Sequence, residues 1–229
     1  MEILYYSDII YLVSFLITLI AQIFVSSSYS RYKKILNSKD NTGYDTARKI
    51  LDKNNLENVM ILETKSNLTD HYDPKRKVIK LSTDIYHGSS IASAAVAAHE
   101  CGHAIQDKNK YIPMRIRSAI VPFVNICTRL GYLAILIGLI FNRAPLLEAG
   151  IILLLAMLVF QLITLPVEFN ASKRALNELE KEKILDKEEK GNARNMLIAA
   201  AFTYVASVLS TLLQIFRLVL ISSSSDRRR

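Results

Sequence analysis

IIYLVSFLITLIAQIFVSSSYS, from Ile9 to Ser30, runs for 22 positions without a charged side chain. As a helix it would measure about 33 Å at ~1.5 Å per residue, enough to cross a bilayer core of ~30 Å. No Lys or Arg precedes the apolar stretch, and the run exceeds the length of a secretory h-region, so it reads as a retained anchor. Two more uncharged runs follow. Ala149 to Val167 spans 19 positions between Glu148 and Glu168, and Asn195 to Phe216 spans 22 between Arg194 and Arg217. Ser118 to Phe141 is apolar apart from Asn125 and Arg129. An Arg at mid-span costs ~3 kcal/mol on insertion scales. This segment therefore either spans with Arg129 paired inside a helix bundle or inserts only its second half; the span is the favoured reading, turning into the next span through Asn142-Arg143-Ala144-Pro145.

Composition agrees with this clustering. Of the 229 residues, 51% are hydrophobic and 22% charged, a balance foreign to disordered chains. Two cysteines, Cys101 and Cys127, make no disulfide framework. The net charge of +8 is concentrated beside the spans. Arg31, Lys33 and Lys34 follow the first span, Lys108, Lys110, Arg115 and Arg117 precede the second, and Lys173, Arg174, Lys181 and Lys183 follow the third. The positive-inside rule puts residues 31–117 and 168–194 in the cytoplasm. Arg227, Arg228 and Arg229 fit this only if the tail lies outside or the last segment turns back near Arg217. No basic-aromatic patch or recognition motif points to nucleic acid.

The polar region after the first span carries short elements. Residues 41–54 read as an amphipathic helix with Ala47, Ile50 and Leu51 on one face. Residues 59–62 and 78–81 read as strands, and His71-Tyr72-Asp73-Pro74 as turn chemistry. Ser89 or Ser90 caps a helix beginning near Ile91. Pro166 is expected to kink or stop the third span, and the charge-dense run 178–190 to end at Gly191 as a solvated helix.

His99-Glu100-Cys101-Gly102-His103 lies on the Ile91 helix. Two histidines four apart share one helix face, so their imidazoles can hold one zinc ion. Glu100 sits about 100° further round the helix, where it can reach a water at the metal without ligating it. Zinc brings the pKa of such a water to ~7, and Glu100 can act as the general base. A hydrolytic zinc site commonly has three protein ligands, so one more is needed. His71 and His87 are candidates. Glu168 is preferred, because it ends a hydrophobic span beside Pro166 on the same predicted side of the membrane. Cys101 faces away from the metal and reads as a packed thiol. For the oxyanion, the available donors are His71, Tyr72, Tyr86 and His87. An exposed edge at Val78-Ile79-Lys80-Leu81 could pair with an extended substrate.

The stretch Val96-Ala97-Ala98-His99-Glu100-Cys101-Gly102-His103-Ala104-Ile105-Gln106 resembles the active helix of the YugP-like neutral zinc metallopeptidases of bacterial membranes. His71-Tyr72-Asp73-Pro74, Ser89-Ser90-Ile91, Leu165-Pro166-Val167-Glu168-Phe169 and Ala199-Ala200-Ala201-Phe202-Thr203-Tyr204-Val205 resemble the same family in the same order. The resemblance implies a gluzincin, with His99, His103 and Glu168 on one zinc ion. Related membrane proteases carry a Glu-x-x-Ala-Asp ligand motif, and this chain has Ser172 in place of the Asp.

The expected fold is a mainly α integral membrane protein of about four transmembrane helices with a small α+β zincin-like lobe at the cytoplasmic face. The expected boundaries are an anchor over 1–30, the lobe over 31–117, a transmembrane hairpin over 118–167, a cytoplasmic segment over 168–194 carrying the third ligand, and a last helix and tail over 195–229. The expected activity is zinc-dependent endopeptidase, with Glu100 activating water, in the bacterial cytoplasmic membrane. The expected partners are the bilayer and a peptide or membrane-protein substrate. The alternatives are a non-catalytic scaffold or pseudoprotease with a structural zinc, and a zinc transporter. The sequence leaves the oligomeric state open.

Overall fold

The computed structural model describes residues 2–65 and 69–226, with side chains for 5–65 and 69–223. Arg227, Arg228 and Arg229 therefore lie outside the described residues. The elements run α1 (Glu2–Tyr32), α2 (Gly43–Lys53), β1 (Met60–Thr64), β2 (His71–Asp73), β3 (Val78–Ser82), α3 (Thr83–His87), α4 (Ile91–Lys108), α5 (Ile112–Ile140), α6 (Ala144–Lys181) and α7 (Lys187–Asp226). Four of the helices, α1, α5, α6 and α7, are long and apolar enough to cross a membrane. The described residues are thus mostly helical, with one small sheet among them.

The chain divides into two compact units. The first gathers the chain up to Gln22, Ile116–Leu165 and the chain from Phe202 onward. Its helices expose many large apolar side chains, among them Leu12, Phe15, Phe123, Leu133 and Ile152, as helices facing lipid do. The hairpin from α5 to α6 is held close by glycines. A Cβ on Gly150 would lie 2.9 Å from the Gly131 carbonyl oxygen, and one on Gly138 would lie 2.9 Å from the Leu147 nitrogen. Small residues at such points let helix backbones approach where lipid supplies no hydrophobic drive. Asn142 takes the left-handed conformation at the turn, with φ 48°, as the Asn-containing turn signal anticipated. Between α1 and α7, the Ser14 and Ser210 hydroxyls meet at 2.6 Å.

One expectation about these helices needs correction, and one of the alternatives left open is removed. Arg129 is exposed on α5, not enclosed by neighbouring helices. The last helix does not turn back at Arg217 but continues to Asp226. The Arg217 guanidinium sits 4.9 Å from the centroid of the Tyr11 ring, a cation–π placement that accommodates the charge without a break.

The second unit comprises Ile23–Arg115 and Pro166–Ala201. Its core joins Ala47, Ile50 and Leu51 of α2, Ile61, Ile79 and Leu81 of the sheet, Leu179 of α6 and Ala193 and Leu197 of α7 around α4. From Ile91 to Gln106 every residue of α4 is buried except Val96 and His99. A helix packed on nearly all sides needs small side chains, which explains the Ser93-Ala94-Ala95-Val96-Ala97-Ala98 run. Its start is capped by Ser90, whose hydroxyl accepts from the Ser93 N–H at 3.0 Å. The α2 helix begins with a reciprocal box between Thr42 and Asp45.

The sheet has the order β1-β3-β2, with β1 parallel and β2 antiparallel to β3. His71 to Asp73 is thus a strand and not the turn itself. The turn is the next four residues, where Asp73 Oδ1 accepts from the N–H groups of Lys75 and Arg76. Val78 to Leu81 forms the central strand, so it offers no free edge for a substrate.

Neither Pro166 nor Gly191 breaks its helix. After Pro166, Val167, Ala171, Ala175 and Leu179 recur every four residues with at most 1% exposure, and this buried stripe carries α6 onward. The real break is at 182–186. Lys183 there takes a left-handed φ of 49°. Asp186 and Glu189 then exchange backbone-to-carboxylate bonds of 2.8 and 2.9 Å, a capping box that starts α7 upstream of Gly191.

Candidate metal centre

His99 and His103 sit one turn apart on α4, with ring centroids 4.8 Å apart and planes at 87°. Glu168, on the part of α6 beyond Pro166, is 3% exposed. Its Oε2 lies 3.2 Å from His99 Nε2 and 3.6 Å from His103 Nε2. One ligand atom from each of these three residues falls within 4.8 Å of the other two. A carboxylate is costly to bury unless it is paired, and two imidazoles supply that pairing here. Burial works against a proton on His103. The Glu168 bond and the Glu100 and Glu168 charges outweigh it and hold the ring's pKa above the usual histidine value.

Two imidazole nitrogens and one carboxylate oxygen are a donor set that suits zinc. Zinc bonds of ~2.0 Å at tetrahedral angles set ligand atoms about 3.3 Å apart, which the Glu168 distances match. Each ring's other nitrogen is also engaged. The Ser172 hydroxyl lies 3.2 Å from His99 Nδ1, and Gln106 Oε1 lies 3.0 Å from His103 Nδ1. Such outer partners fix ring orientation in metal sites. The residues therefore fit a zinc ion.

Glu100 is 7% exposed and points from the next position of α4. Cys101 is fully buried, with its thiol donating to the Ala47 carbonyl at 3.6 Å. Burial, with Glu100 nearby, pushes its pKa well up, so it is a packed thiol and no ligand.

Of the four histidines, His71 and His87 stay outside the cluster. His71 is exposed, with Nδ1 2.6 Å from the Thr69 carbonyl oxygen. His87 lies 3.4 Å from a Glu63 carboxylate oxygen. The Tyr72 hydroxyl donates to Asp107 at 2.8 Å, and Tyr86 packs on Tyr44. None of the four is brought to the metal cluster by a contact of this kind.

The sequence reading missed Gln106 and its partner Asn170. Gln106 Nε2 donates to the Val167 carbonyl at 2.8 Å and to Asn170 Oδ1 at 3.0 Å. Part of the signal was present: a glutamine seven positions after His99 and three after His103 shares their helix face, and a buried amide there needs hydrogen-bond partners.

The family described as "putative neutral zinc metallopeptidase" matches residues 7–223. The chain is also 43% identical over 201 residues to the "putative membrane protease YugP" of Bacillus subtilis (strain 168), a match covering 88% of this chain and 89% of that protein. No solved structure matches. With both α4 and Glu168 inside a match that takes in nearly the whole chain, this protein belongs to the neutral zinc metallopeptidase family.

Proposed function

We propose that the protein is a zinc-dependent endopeptidase of the bacterial cytoplasmic membrane, a gluzincin whose active site faces the cytoplasm. The observation that carries this reading is the meeting of Glu168 with His99 and His103, 69 and 65 residues away in sequence, in one buried cluster. His99, His103 and Glu168 would hold the ion. When bound, zinc would supply Lewis acidity, polarising the scissile carbonyl and acidifying water to a pKa of ~7.

The chain's own residues carry the proton. As a water oxygen adds to the carbonyl carbon, Glu100 accepts the water's proton. It then delivers that proton to the amide nitrogen as the C–N bond breaks, so acid and amine leave with charges balanced. A structural zinc site would have no use for this carboxylate. Partial exposure of Val96 and His99, on a helix otherwise enclosed, supports an opening along that side of α4. Four helices suited to the bilayer support a substrate that is a peptide segment in or near the membrane. Basic residues on the segments flanking the spans support the cytoplasmic orientation.

The test is metal analysis and peptide cleavage on the purified full-length chain, on Glu100→Gln and on His103→Ala. Glu100→Gln is expected to keep zinc and lose cleavage by roughly 10²- to 10⁴-fold. His103→Ala is expected to lose both. Full cleavage by Glu100→Gln would end the peptidase reading.

A further inference from the structure

The amide of Gln106 is completely buried, and its neighbours leave it one orientation. The Val167 backbone carbonyl can only accept, so the Gln106 nitrogen must face it, at 2.8 Å. The same nitrogen faces Asn170 Oδ1 at 3.0 Å. Asn170 is oriented in turn by Arg174, whose Nε lies 2.8 Å from that oxygen and can only donate. The polarity of the chain is thus set at both ends by groups with no ambiguity of role. The Gln106 oxygen is left facing His103 Nδ1 at 3.0 Å, where it can only accept.

We propose that Gln106, held by Val167 and Asn170, is the positioning residue that keeps the His103 proton on Nδ1 and so presents the Nε2 lone pair to the metal. This rests on the zinc peptidase reading above for its purpose, though not for its geometry. Without Gln106, nothing at Nδ1 would oppose a proton on Nε2, where the buried Glu168 carboxylate is the available acceptor. That tautomer would close the ring to a metal. The segment of α6 that supplies Glu168 therefore also supplies, through Val167, Asn170 and Arg174, the fastening that keeps His103 open. The imidazole tautomer at a metal site is set by what its other nitrogen bonds.

The test reads the ring nitrogens by ¹⁵N NMR on the full-length chain with labelled histidine, of which there are four. The protein is measured without metal at pH ~9, where histidine is neutral, and after loading with zinc. The expected result is His103 protonated at Nδ1 in both. Zinc affinity, by chelator competition, is expected to fall roughly 10- to 100-fold in Gln106→Met, with the Nδ1 signature lost, while Asn170→Asp keeps both because its oxygen still accepts. A wild-type His103 protonated at Nε2 without metal would overturn the proposal, whether or not Gln106→Met folds. So would a Gln106→Met protein with unchanged affinity and an unchanged Nδ1 proton. Failure of the wild type to bind zinc would instead strike the peptidase reading, and would leave the metal-free measurement standing.

Discussion

Gly102 meets Ala171 so closely that a Cβ on the glycine would lie 2.5 Å from the Ala171 carbonyl oxygen and 3.1 Å from its carbonyl carbon. The obstacle is backbone, which cannot swing aside as a side-chain tip would. Gly102 precedes His103, and Ala171 lies three residues after Glu168 and beside Ser172. This contact therefore sets the separation of α4 and α6 at which Glu168 reaches both histidines. Hydrogen-bond geometry tolerates only a few tenths of an ångström, so a methyl group here is a functional change as much as a packing one.

Gly102→Ala is expected to destabilise the protein by about 1–3 kcal/mol, the usual cost of overpacking, and to weaken zinc binding as Glu168 is pushed from the rings. Gly191→Ala is the matched control. It lies in α7 with nothing within 4 Å of the added Cβ, so the unfolded chain's lost freedom should raise stability by about 0.4–1 kcal/mol and leave zinc untouched. Denaturant unfolding with chelator competition on both variants checks the pair. Equal behaviour of the two would mean that the α4–α6 contact is looser than described.

The Ser172 hydroxyl reaches His99 Nδ1 at 3.2 Å. A neutral partner orients the ring but adds less basicity than an anion would. Ser172→Ala is expected to weaken zinc by about tenfold, the low end for outer-partner losses, and Ser172→Asp to bind more tightly than the wild type. Isothermal or competition titration of zinc separates the three proteins. An alanine variant indistinguishable from the wild type would show the hydroxyl contact to be idle.

The grouping of His99, His103 and Glu168 was legible because each member obeys a local rule. Two histidines at helical spacing announce one face, and a carboxylate at the end of an apolar span demands a partner. What could not be read locally was the set of groups chosen by long-range packing. Gln106 and Asn170 meet only because α4 and α6 pack together, and no spacing within either helix encodes that. His71 to Asp73 looked like a turn because Asp73-Pro74 is turn chemistry, but pairing with β3 extends the strand to the edge of that turn. Pro166 is a breaker by propensity, and the buried stripe from Val167 to Leu179 outweighs it. Asp186 and Glu189 did carry a capping-box signature, which the nearby Gly191 obscured.

Tyr72 ties β2 to the end of α4 by donating to Asp107, which Lys77 also engages. Burial, then the Asp107 bond and charge, push the tyrosine's pKa far up. The folded protein therefore keeps this proton at a pH where the unfolded chain, with a tyrosine pKa of ~10, gives it up. The contribution is present below pH ~10 and is lost as pH rises above it, with a slope of at most about 1.4 kcal/mol per pH unit. Tyr72→Phe should cost about 1.5–3 kcal/mol near neutrality, the range for a hydrogen bond to a charged group, and the gap to wild type should narrow above pH ~10. Unfolding midpoints of both proteins from neutral to alkaline pH provide the check. A gap that stays constant would mean that Tyr72 ionises as freely folded as unfolded.

Cys101 lies between His99 and His103 on α4, yet its environment argues for an inert thiol. Reactivity requires thiolate, and thiolate requires either exposure or positive charge nearby. Cys101 has 0% exposure and the Glu100 carboxylate as neighbour, and these outweigh the opposing Arg48 charge and favour the thiol. Iodoacetamide should leave Cys101 unmodified in the folded protein at neutral pH, and label it only at denaturant concentrations that unfold the second unit. Peptide mapping by mass spectrometry after timed labelling measures this directly, with zinc content read on the same samples. Retained zinc beside an unmodified Cys101 is the expected pairing. Labelling at the rate of a free cysteine would show that α4 is not enclosed, and with it the tight meeting of Gly102 and Ala171 would fall.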